Sequence, residues 1–167
     1  MTAQKRRLVA DGLASGLIGD ALVGAFFVVL NLAAGRSILY TVALVGEALF
    51  SGVREPAAVT LAAGPMLAFN GLHLAACLLF GFFGAWLVYE AELHPEFWYL
   101  ALFLFLGATV VSYAGVLALM VLVGSPLDTG TIVAASLVAA VGIGVYLVAR
   151  HRPVVRAIHR TRETRAG

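Results

Sequence analysis

Four apolar runs, each long enough to cross a bilayer, constrain this chain more than anything else in it. They cover residues 12–34, 66–89, 97–123 and 129–149, and a spanning helix needs about 20 mostly apolar residues. The breaks between them carry helix-ending and helix-starting chemistry. Gly35 and Arg36 end the first run, and Pro65 stands where a helix tolerates proline, in its first turn. Glu90 and Glu92 close the second, Pro95 and Glu96 open the third, and Asp128 is placed to cap the fourth. Soluble domains are near half apolar and a quarter charged. Here 62% of the residues are hydrophobic and 12% charged, with mean hydropathy +0.98. The expectation is an all-α, polytopic four-transmembrane-helix bundle, a single integral membrane domain over residues 1–167.

The basic residues report orientation. Lys5, Arg6 and Arg7 precede the first run, while Arg150, Arg152, Arg156, Arg160, Arg162 and Arg165 follow the last. Only Arg36 and Arg54 lie elsewhere. Cytoplasmic loops carry the excess of Lys and Arg, so both termini are expected in the cytoplasm, and four spans supply the even number this requires. The first run exceeds the roughly 7–15 apolar residues of a secretory signal and contains Asp20; it reads as a retained span. The basic tail 150–167 and the basic N-terminus suit anionic lipid headgroups. A short tail without aromatic readers is no nucleic-acid binder.

Residues 37–53 are too interrupted to span. At about 100° per residue Ser37, Thr41, Glu47 and Ser51 share an arc of roughly 120°. This predicts an extra amphipathic or re-entrant helix between spans 1 and 2, on the outer side. Trp86, Tyr89, Trp98 and Tyr99 fit an interfacial belt at the opposite end. The phenylalanines around them, including Phe80 and Phe105, are expected to face lipid or another protein.

Within the first span Gly12, Gly16, Asp20 and Gly24 fall at four-residue spacing on one helix face. Small stripes let membrane helices approach closely, and an acid in a span seldom faces lipid. The stripe reads first as a helix-packing surface, with a titrating or ligand-binding Asp20 as the functional alternative. Aligning the midpoints of the apolar runs puts glycines from the other spans at its depth, and no Lys, Arg or His. A second polar group comprises Asn31, Glu47, Asn70, His73 and Tyr113, toward the outer leaflet. The same arithmetic, at 1.5 Å per residue, separates Asp20 from His73 by about 10 Å, so two sites are expected. Asn70, His73, Cys77 and Gly81 form one stripe that turns His73 into the bundle.

These donors make a thin shell for a transition metal, and no metal site is expected from them. His73 is the single histidine within a span, which excludes a bis-histidine haem within one chain; ligation of a pigment or haem by His73 alone is the cofactor alternative. Cys77 is the single cysteine and has no partner for an internal disulfide. His94 with Glu90, Glu92 and Glu96 reads as helix ends beside water. No phosphate-binding glycine loop, nucleophile elbow or metal-binding histidine pair occurs, so the chain is not expected to be an enzyme.

The stretch Ala34-Gly-Arg-Ser-Ile-Leu-Tyr-Thr-Val-Ala-Leu-Val-Gly-Glu-Ala-Leu-Phe50, followed by a span with a histidine near its outer end, resembles a group of small uncharacterised bacterial four-span proteins. In that group proline commonly follows the Gly-Arg and recurs beside the threonine, where Ser37 and Val42 stand here. The resemblance covers about the first half of the chain. It implies the four-span fold and a bacterial inner membrane, and supplies no catalytic residue. The functional expectation is a non-catalytic accessory subunit of a larger membrane complex, partnered by lipid and other membrane subunits. The alternative is a small transporter or ligand-binding protein using Asp20 or the Asn70 and His73 group.

Overall fold

The computed structural model of the chain describes residues 3–124 and 127–151. Within them are five α-helices: α1 (Ala3–Ala33), α2 (Tyr40–Phe50), α3 (Ala63–Leu93), α4 (Trp98–Val123) and α5 (Thr129–Arg150), with single 3-10 turns at Pro56–Ala58 and Pro95–Phe97. All but α2 are long and apolar enough to cross a membrane. Residues 152–167, most of the basic tail, lie outside the described residues.

The helix ends follow from their residues. α1 stops in a Schellman motif: Gly35 adopts the left-handed conformation (φ 66°), and the amides of Gly35 and Arg36 donate to the carbonyls of Leu32 and Asn31 at 3.0 and 2.8 Å. Gly124 (φ 66°) ends α4 in the same conformation. The Asp128 carboxylate accepts from the amide of Thr131 at 3.1 Å and from its hydroxyl, capping α5. These two contacts hold the Asp128 carboxyl below its usual range.

α1 packs against α3 and then α5; α2 lies across the start of α3, and α4 leans on α3 and α5. We call the end where α1 begins and α5 finishes the terminal end, and the other the α2 end. Two small cores result: Val45, Met120 and Ile132 at the α2 end, and Ala85, Ile143 and Leu147 at the terminal end. Met120 is the one buried residue of α4. The outward faces of the long helices are apolar, with Leu79, Phe103, Val121 and Leu122 among the most exposed. Apolar exteriors suit a lipid surround, where burial of apolar area against protein brings little gain.

Two expectations are sharpened and one is corrected. α1 starts at Ala3, so Lys5, Arg6 and Arg7 are helical; hydropathy marks where a helix becomes polar, not where it ends. The polar arc is divided: Ser37 and Ser51 at its ends are exposed, while its middle faces the bundle. Thr41 and Glu47 are buried and Phe50 is exposed, because Thr41 bonds Asn31 of α1 and Glu47 bonds Thr60 of the loop before α3. Phe80 and Phe105 face each other, ring centroids 5.3 Å apart, and pack on the terminal core instead of pointing outward.

Candidate functional site

Glycine contacts set the register of the site. A β-carbon on Gly81 of α3 would lie 2.7 Å from both the Gly12 carbonyl oxygen and the Gly16 Cα of α1. One on Gly16 would lie 2.7 Å from the Leu78 Cα. The two backbones therefore touch, as small residues allow in membrane helices. The buried Ser15 hydroxyl bridges them, donating to the carbonyls of Gly12 or Gly81 at 3.2 and 3.1 Å. Gly12 meets the Phe82 ring. Gly24 meets nothing within 4 Å, so the stripe packs at its first two glycines and opens onto a cavity at its last.

One step along that register, Asp20 meets His73. Asp20 Oδ1 lies 2.7 Å from His73 Nδ1, with side chains 34% and 28% exposed. The expectation that these two belong to separate sites, and that Asp20 has no cationic or imidazole neighbour, is overturned. The physical reason lies in the helix lengths. α1 and α3 both extend past their apolar runs, and their glycine contact slides them until Asp20 and His73 share a level. Cys77, one turn from His73 on α3, places Sγ 3.8 Å from Nε2 and 3.9 Å from Nδ1 of the imidazole. Phe69 packs beside the imidazole on its other side, with centroids 5.9 Å apart.

The remaining members of the expected outer network are divided. Asn31 accepts from the Thr41 hydroxyl at 3.0 Å and donates to the Ile38 carbonyl at 3.2 Å, tying α2 to α1. Glu47 accepts from the Thr60 amide at 3.0 Å and from the Thr60 hydroxyl, tying α2 to the loop before α3. Those two bonds hold the Glu47 carboxyl below its usual range. Asn70 and Tyr113 join neither bond set; they stand with Asp20, His73 and Cys77 on the wall of one cavity.

That cavity has a volume of about 460 Å³ and is bounded by all five helices. Val45, Leu49 and Met120 close it toward the α2 end, and Ile143 and Phe80 toward the terminal end. Its walls are chiefly Val, Leu, Ile, Ala and Phe, with the acid, the imidazole and the thiol gathered on one side. Comparison of the chain with protein-family models, curated proteins and solved structures finds no match. The chemistry must be read from the residues. A carboxylate hydrogen-bonded to an imidazole can bind a polar or cationic group, exchange a proton, or ligate a metal.

A second polar cluster at the terminal end was not anticipated from sequence. His151, just past α5, places Nδ1 2.8 Å from Glu92 Oε1 of α3 and Nε2 3.1 Å from Asp11 Oδ2 of α1. Asp11, its side chain only 6% exposed, also faces the Tyr146 hydroxyl at 3.4 Å and Arg150 Nε at 3.5 Å. The signal lay in the α1 pattern: Asp11 and Ser15 are one turn apart on the face that α3 covers. It was hidden because the apolar run begins at Gly12.

Proposed function

We propose that this protein is a four-span integral membrane protein, termini on the cytoplasmic side, whose cavity binds a small ligand with an apolar body and one polar group. The observation that carries the reading is the cavity of about 460 Å³ with Asp20 and His73 paired on its wall. Small-molecule sites are concave, mostly apolar, about 300–1,000 Å³ in volume, and carry a few convergent polar groups. Ionisable residues inside a membrane bundle are costly and mark substrate or ion sites. Asp20 and His73 orient the polar group, and the Val, Leu and Phe walls receive the rest. Binding or transport fits this donor set better than catalysis. The positive-inside pattern of Lys5, Arg6, Arg7 and Arg150 supports the orientation.

The test is purification from the source membrane in mild detergent, followed by mass spectrometry of what the protein retains. A retained small molecule that is absent from bulk lipid, and lost in Ala139→Leu, supports the reading; Ala139 lines the cavity. Wild type carrying only bulk lipid, with no change in that variant, sinks it.

A second reading rests on α4. A helix with one buried residue is suited to a neighbouring subunit, which supports the accessory-subunit role. Purification as a monomer with no co-purifying chain removes that support.

A further inference from the structure

We propose that Asp20, His73 and Cys77 form a binding site for a divalent transition metal of the zinc class, with one coordination position open to the cavity. The proposal rests on the reading of this cavity as a binding site and names what its polar wall takes. Three different donor types converge there from two helices: a carboxylate oxygen from α1, and an imidazole nitrogen and a sulfur from α3. The donor atoms lie within 4.8 Å of one another. His73 and Cys77 are four residues apart, which sets both on one helix face, as in helical two-ligand metal motifs. Asp20 is delivered to them by the glycine contact between α1 and α3, so the third ligand is held by backbone packing and not by a loop.

The distances suit a small metal ion. Bonds of about 2.0 Å to nitrogen and oxygen and 2.3 Å to sulfur set tetrahedral donors roughly 3–4 Å apart. Sγ already stands 3.8–3.9 Å from the imidazole nitrogens. The 2.7 Å hydrogen bond from Asp20 to His73 has to open by roughly half an ångström to admit the ion. Thiolate with imidazole selects zinc, cobalt, nickel or copper over magnesium or calcium, which prefer oxygen. Three protein ligands and an open position are the arrangement of a zinc site that receives a further ligand. The cavity beside the donors supplies the room. Binding displaces the thiol proton of Cys77, so affinity rises with pH.

Cobalt(II) is the probe, titrated into the full-length protein in mild detergent after treatment with a chelator. One cobalt per chain is expected, with tetrahedral ligand-field bands in the visible and a thiolate-to-cobalt charge-transfer band in the near ultraviolet, all displaced by zinc. Cys77 is the single cysteine of the chain, so that charge-transfer band reports this site and no surface histidine. Cys77→Ser abolishes it, and Asp20→Asn weakens cobalt binding about tenfold or more. Zinc is also expected to slow alkylation of Cys77, the single cysteine, by N-ethylmaleimide about tenfold or more in the wild type, a readout that needs only the wild type to be folded. Saturating cobalt without a charge-transfer band, or alkylation indifferent to zinc, overturns the proposal. An organic ligand retained in the cavity with no cobalt binding overturns the metal site and leaves the proposed function standing. Cobalt bound with its charge-transfer band, and no organic ligand retained, supports the metal site and sinks the other reading.

Discussion

Gly81 and Gly24 are the same residue in opposite circumstances. A β-carbon at Gly81 would press on the Gly16 and Gly12 backbone, whereas one at Gly24 would meet nothing within 4 Å. Backbone cannot give way as a flexible side chain can, so Gly81→Ala forces α1 and α3 apart. The expected cost is about 1–3 kcal/mol, the range for overpacking a well-fitted contact. Gly24→Ala is expected to be neutral or to stabilise by up to about 1 kcal/mol, because alanine favours the helix over glycine. Thermal unfolding of both variants in one detergent checks the pair; equal shifts would remove the packing role of Gly81. The same contact explains what the residue pattern alone leaves unread. Gly12, Gly16 and Gly81 are visible in the sequence as small residues on stripes, but which α3 residues they touch is not. Only that register decides that Asp20 meets His73.

At the scale of the element, α2 shows how far periodicity reaches. The arc of Thr41 and Glu47 is legible, and so is a short helix between the first two long ones. The direction the arc faces is not, because an apolar helix in apolar surroundings keeps its polar side inward, where partners are. Glu47 is the anchor: the Thr60 hydroxyl and amide bond its carboxylate and hold its pKa below the ordinary 4.5. A depressed carboxyl stabilises the folded state above the unfolded pKa, and the contribution disappears as pH falls through the folded value. The loop around Thr60 is therefore expected to loosen only below about pH 4.5. Glu47→Gln, which has no charge to lose, is expected to abolish that pH dependence while weakening the tie at neutral pH. Limited proteolysis of residues 51–62 across pH 3–7 reads this directly. A wild-type digestion profile that is flat across the range, or one that Glu47→Gln reproduces, sinks the anchor role. Because Val45 and Leu49 of α2 also close the cavity, any ligand held there is expected to leave over the same interval.

At the scale of the whole molecule, charge distribution and side-chain geometry agree on which ends belong together. Asp11 of α1, Glu92 of α3 and His151 after α5 meet at one end, so the N-terminus of α1, the turn after α3 and the C-terminus of α5 share a side of the bundle. The residue patterns place Lys5, Arg6, Arg7 and Arg150 at that same end, and Arg36 and Arg54 at the other. In a membrane this asymmetry supports the proposed orientation, with the terminal end toward the cytoplasm. The Glu90, Glu92 and Glu96 acids at that end do not oppose it, since the rule counts Lys and Arg. Single cysteines introduced into a Cys77→Ser background test the arrangement. With a membrane-impermeant maleimide on intact cells or spheroplasts, Ser51→Cys and Glu55→Cys, both exposed at the α2 end, are expected to label. Gln4→Cys and His94→Cys, exposed at the terminal end, are expected to label only after permeabilisation. Four spans require Gln4 and His94 to behave alike and Ser51 to differ from both. Labelling of Gln4 and Ser51 from the same side would mean that α1 does not cross; labelling of Gln4 and His94 from opposite sides would mean that α1 and α3 do not both cross. The sign of the result, which pair labels first, tests the orientation separately from the number of crossings.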